Sequence, residues 1–159
     1  MSFFIAGGGK LMNNALVQFL PTAMSQFFES IYVSEFAVDA HPAEIADIVR
    51  VARASNAVAG LTGLLMFDGN LFCQQLEGPE EAVRHTIAKI SVDHRHTQFQ
   101  SLHEGPLGTK RRFDAWHVGI LAPDGPSPLI SLRLLRGTIA MEHLMSVYRQ
   151  SQQFGLHVI

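Results

Sequence analysis

Three observations predict an α+β fold. Apolar segments of period two and period three-to-four alternate in the order strand, helix, strand, strand, helix, strand, strand. The middle pair of strands is joined by Asp68-Gly69-Asn70, a strong hairpin signal. Each of the two helices carries a single apolar stripe, which suits one covered sheet face. A hairpin flanked by two strand–helix units is the ferredoxin-like arrangement, here βαββαββ with one added strand and both helices on one face. A C-terminal helical extension follows.

The elements are taken in chain order. Phe27 to Phe36 (FFESIYVSEF) is rich in aromatic and β-branched residues and reads as the first strand. His41-Pro42 breaks it, and proline suits the first turn of a helix. Ala43 to Ser55 places Ile45, Ile48, Val49 and Ala52 on one helical stripe. Gly60 to Phe67 and Leu71 to Leu76 are the hairpin strands. Glu77-Gly78-Pro79 closes the hairpin and opens a second helix, Glu80 to Ser91, with Val83, Ile87 and Ile90 inward. Asp93 to His96 is a polar loop, Thr97 to Glu104 an alternating strand, Gly105 to Arg112 a basic connection, and Ala115 to Leu121 the last strand. Pro123 to Pro128 reads as a linker. Leu129 to Arg136 and Ala140 to Gln153 read as two helices split by Gly137.

Three spans are expected: a flexible tail over 1–23, a compact domain over 24–122, and a linker with a helical cap over 123–159. The 159 residues are enough for one domain with a real core. Asn13, Asn14 and Gln18 interrupt the apolar stretch near the start, which argues against a secretory signal. Gly7-Gly8-Gly9-Lys10 lacks the spacing and the following Ser or Thr of a phosphate loop. The formal charge of −2 gives no field that would gather nucleic acid or an anionic membrane. One cysteine, Cys73, excludes an internal disulfide and suits a cytoplasmic protein. His94 and His96 alone do not make a metal site, so no metal is expected.

Taken singly, the polar residues have ordinary explanations. Tyr32 reads as a half-buried strand tyrosine, Asn56 as a helix C-terminal residue and Trp116 as core. Gln74 and Gln75 must point to opposite faces of their strand. The one on the covered side needs hydrogen-bond partners from a ligand or from neighbouring backbone. No Gly-x-Ser-x-Gly elbow or other nucleophile–base pair supports a hydrolase.

Taken together they form a pattern. Ile31-Tyr32-Val33-Ser34 is followed by Asn56, by Gly60-Leu-Thr-Gly-Leu-Leu65, and by Phe72-x-Gln74-x-Leu76-Glu77-Gly78. Asp93-x-Arg95-His96 comes next, and then Arg111 or Arg112, Phe113 and Trp116. From about Gln26 to Leu121 this resembles the BLUF family, blue-light sensors using FAD. The resemblance implies a non-covalent flavin, FAD or alternatively FMN, lying between the two helices over the sheet. It implies binding by Tyr32, Ile48, Asn56, Phe72, Gln74, Asp93, Arg95 and His96. Ile48 would pack on the ring, Asn56 would hold its pyrimidine edge, and Arg95 and His96 would meet the ring edge or the ribityl side. Tyr32 and Gln74 would form a photoswitch coupled to Trp116 and Val118. The expected role is therefore photoreception without enzymatic turnover. The competing readings are a light-insensitive ferredoxin-like interaction module and a small flavin-dependent redox protein.

Two departures stand out. Val118 occupies a position where many members have Met, and Ser55 replaces a second amide or His carried by some. A downstream protein partner and homo-oligomerisation are expected. Leu132, Leu135, Ile139, Leu144 and Met145 of the C-terminal helices are the expected contact surface.

Overall fold

The computed structural model describes residues 26–121 and 125–153. The expected tail over 1–23 lies outside the described residues. The elements are β1 (Phe27–Phe36), α1 (Ala43–Val58), β2 (Thr62–Phe67), β3 (Leu71–Gly78), α2 (Glu80–Ser91), β4 (His96–Gly108) and β5 (Trp116–Ile120). A 3-10 helix (Ile130–Leu134) and α3 (Gly137–Gln153) follow. The strands form one mixed sheet of order β4-β1-β3-β2-β5, antiparallel except for β2 with β5. The expected α+β topology is present.

Local chemistry sets the element ends. At the start of α1 the His41 N–H donates to Glu44 Oε1 at 2.8 Å, so the helix opens on a satisfied donor. Glu80 and Glu81 stand in the first turn of α2, where the helix dipole favours negative charge. Asp68 Oδ1 accepts the N–H groups of Asn70 and Leu71 and closes the hairpin turn.

Several boundaries differ from expectation. α1 runs past Ser55 to Val58, so Asn56 sits inside the last turn and not at the end. β4 extends to Gly108 through the first half of the expected basic connection, because its pairing with β1 continues to Gly108 opposite Phe27. The first C-terminal helix is a single 3-10 segment, and Gly137, at φ +60, starts α3.

Alternation divides the core in two. Tyr32, Leu65, Phe72, Trp116 and Val118 pack with Ile48, Val49, Val83 and Ile87 beneath α1 and α2. Ile31, Val33, Leu64, Met66 and Leu102 pack on the opposite face with Leu129, Leu132, Met141 and Leu144. The C-terminal extension therefore covers the second sheet face. This corrects the expected contact surface. Leu132 and Leu144 are fully buried, Leu135 and Met145 pack against them, and only Ile139 of the five is exposed. A sheet apolar on both faces needs a second layer, and the apolar stripe of α3 supplies it.

Candidate functional site

Strand register builds the site. Tyr32 lies opposite Gln74, Gln74 opposite Leu65, and Leu65 opposite Val118. This row crosses four strands on the face beneath the helices. Here the Tyr32 hydroxyl donates to Gln74 Oε1 at 2.7 Å. Both side chains are buried. Burial raises the Tyr32 phenol well above its ordinary range, with Cys73 and Asp93 adding to the rise. The phenol stays protonated and is the donor of the pair. With Oε1 engaged, the Gln74 NH2 group is left to serve other acceptors.

A cavity of about 250 Å³ opens between α1, α2 and this row. Tyr32, Ile48, Asn56, Gln74, Asp93, Arg95, His96 and Trp116 all line it. Phe72 and Val118 do not reach it. Phe72 supports the wall from one row away, with its ring centroid 4.6 Å from that of His96. Val118 lies one strand beyond Leu65, so of the two β5 residues only Trp116 meets the cavity.

One end of the cavity is polar and held in place. The Asp93 carboxylate accepts the Arg95 guanidinium at 3.0 and 2.6 Å and the Arg95 backbone N–H at 3.0 Å. Hydrogen bonding and charge from Arg95 hold Asp93 down at about 2. His96 pairs through Nδ1 with Ser34 Oγ at 2.9 Å. Burial pushes its imidazolium down to about 4, with Arg95 adding to the shift and Asp93 opposing it. At neutral pH His96 is an uncharged donor–acceptor on the cavity wall.

The lining suits a flat heteroaromatic ligand with polar edges. Ile48, Leu65 and Ile90 provide apolar walls, and the Asn56 and Gln74 amides provide edge contacts. Trp116 Nε1 is buried without a hydrogen-bond partner among the described residues, an unmet donor at the same cavity. These residues fit a flavin ring.

Sequence reasoning missed His85, Thr86 and Lys89 of α2, which border the cavity. His85 and Lys89 are exposed and read as solvent face; their i, i+4 spacing was the available signal. It also missed Phe99, which stacks on the Tyr32 ring at 4.8 Å and 25°. Only the tertiary fold brings those two rings together.

Gln75 points to the far face, as alternation requires. Its Nε2 donates to Glu77 at 3.0 Å and to Glu29 at 3.4 Å. Arg112 holds Glu29, while Glu77 accepts the Phe113 N–H and the Thr62 hydroxyl. Three strands, β1, β2 and β3, and the β4–β5 connection are thereby tied together directly behind Gln74. No cluster of His, Cys, Asp and Glu able to hold a metal occurs among the described residues. No helix among them is long and apolar enough to cross a membrane.

Comparison with known proteins gives a consistent result. The family model described as "BLUF: Sensors of blue-light using FAD" matches residues 27–119. The solved structure of BlrB, a BLUF protein in its dark state, is 30% identical with a TM-score of 0.63. The match covers 80% of this chain and 98% of that one. Klebsiella pneumoniae BlrP1 is 31% identical with a TM-score of 0.55, over 76% of this chain and 28% of that chain. Photoactivated adenylate cyclase subunit beta of Euglena gracilis is 36% identical over 80 residues, 50% of this chain. The aligned segment spans only 9% of that cyclase subunit.

Proposed function

This chain belongs to the BLUF family of blue-light sensors, and from that premise we propose that Tyr32 and Gln74 are its photoswitch and the cavity beside them its flavin site. The observation that carries the assignment is the buried 2.7 Å bond from the Tyr32 hydroxyl to Gln74 Oε1 on the cavity wall. Asn56 would hold the ring's polar edge, and Ile48 would pack on its face. Trp116 Nε1, Arg95 and His96 would supply donors around it, with Asp93 orienting Arg95. Phe72 supports His96 from behind. Lys89, an exposed cation bordering the cavity, suits the phosphate groups of FAD and, less fully, the single phosphate of FMN, whereas the Arg95 charge is already matched by Asp93. FAD is the proposed cofactor.

When bound, a flavin supplies blue-light absorption and a strongly oxidising excited state. The chain's part is a hydrogen-bond switch. In the described arrangement Gln74 accepts from Tyr32 and keeps its NH2 for the cavity. Turning the amide over would present Nε2 to the Tyr32 oxygen and Oε1 to the cavity. Donor and acceptor then exchange places with no net change in protonation. A two-state element of this kind converts a local event into a change of packing.

Residues 24–122 are proposed as the flavin-binding unit and the region after 122 as its cap. The activity proposed is sensing without turnover in a cytoplasmic setting, with output to a protein partner or to a second copy of the chain. The decisive experiment is an absorption spectrum before and after blue light. Purified protein should carry oxidised flavin and show a small, reversible red shift. Gln74→Leu should bind flavin and lack the shift, since leucine has no hydrogen bonds to exchange. Flavin-free protein that also fails to take up added FAD would overturn the reading.

A further inference from the structure

Tyr32 is held from a direction that the switch itself does not explain. Between the pairs Val33–Gln100 and Glu35–Thr97 the β1–β4 register shifts, so that Gln98 and Phe99 together face the single residue Ser34. This is a β-bulge, and bulges re-aim side chains. Gln98 takes φ +49, and it is the one non-glycine residue at positive φ among those described. A glutamine stays in the left-handed region only where its surroundings hold it there. The side chain that the bulge re-aims is Phe99, stacked on Tyr32.

The bulge is gripped by the C-terminal cap. Arg133, in the 3-10 helix, donates to the Gln98 carbonyl at 3.2 Å, to Gln100 Oε1 at 3.5 Å and to Glu35 Oε1 at 3.0 Å. Gln100 Nε2 donates in return to the Arg133 carbonyl at 3.0 Å. Arg133 Nε is buried without a partner among the described residues, so the guanidinium is committed to this placement despite an unmet donor. The 3-10 helix lies on the opposite sheet face from Tyr32, with Leu132 in the far core.

We propose that Arg133 latches the β4 bulge, that the bulge seats Phe99 on Tyr32, and that docking of the C-terminal cap thereby sets the lifetime of the light-adapted state. Phe99 and Arg133 are positioning residues, and the proposal rests on the reading of Tyr32 as a switch residue. Linkage makes the route reciprocal. If cap docking biases the Tyr32 environment, light at Tyr32 biases cap docking by the same factor.

The test has one arm in the dark and one in the light. The chain has two tyrosines, Tyr32 and Tyr148, so fluorotyrosine labelling yields two fluorine resonances, assigned with Tyr148→Phe. Arg133→Met, which touches neither the cavity nor Tyr32, should move the Tyr32 resonance. After blue light it should change the dark-recovery rate by roughly fivefold or more, with flavin loading and the size of the red shift at wild-type values. Phe99→Leu keeps the latch and removes the stacked ring. It should alter recovery by itself and abolish the further effect of Arg133→Met in the double variant. Should Arg133→Met fail to fold, Phe99→Leu decides: a wild-type Tyr32 resonance and wild-type recovery in that variant overturn the proposal. The same outcome for a folded Arg133→Met also overturns it. Wild-type protein without a light response would refute the switch reading instead, while the dark resonance arm would still decide whether the latch reaches Tyr32.

Discussion

His96 makes stability fall in mild acid, and the size of the effect follows from its burial. It is 8% exposed, paired with Ser34 through Nδ1 and packed on Phe72. Its imidazolium is pushed from 6.5 to about 4. The unfolded chain therefore binds this proton more readily than the folded one. Stability from His96 is complete above the unfolded value of 6.5 and is lost as pH falls from there toward about 4. At about pH 5 the loss is about 2 kcal/mol, out of roughly 3 kcal/mol once both states are protonated. Asp93 does not confuse this window, because its own contribution is lost only below its ordinary value of 3.8. The assay is urea unfolding of the flavin-loaded protein at about pH 7.5 and about pH 5, followed by circular dichroism. The comparison is His96→Gln, since glutamine can pair with Ser34 and never charges. The wild-type midpoint should fall by roughly 1 M urea more than that of the variant. The other histidines contribute equally to both proteins and cancel. Equal losses in the two proteins would refute the argument.

Other consequences can be checked with less effort. Gly63→Ala should destabilise the fold by roughly 3 kcal/mol or more, read as a drop in thermal midpoint, because a Cβ there would sit 2.1 Å from the Gln75 carbonyl oxygen at φ +143. Val118→Met should leave the light-induced shift present and change its recovery time, since Leu65 separates that position from Gln74. Lys89→Glu should weaken flavin retention by roughly tenfold at low salt and by less at high salt, measured by equilibrium dialysis, because a cation at the cavity mouth becomes an anion.

Much of this protein was legible in the order of its residues. Period-two and period-three-to-four stripes located the five strands and the helices α1 and α2, because burying one face of each is what those elements are for. Alternation alone required Gln74 and Gln75 to face opposite ways. The family resemblance carried by the motifs around Tyr32, Asn56, Gln74, Asp93, Arg95, His96 and Trp116 singled out residues that line one cavity. Other features depended on contacts between residues far apart in the chain. Leu132 and Leu144 looked like a free apolar surface because nothing local shows that the sheet is apolar on both faces. β4 continued through an expected connection because its partner β1 offered pairing as far as Phe27. Phe99 is an ordinary strand residue until a bulge turns its ring onto Tyr32, and Arg133 is an ordinary surface arginine until the cap docks it against that bulge. Periodicity reports which way a side chain faces from its own element. Which partner waits there is decided by register, by bulges and by the packing of the second layer.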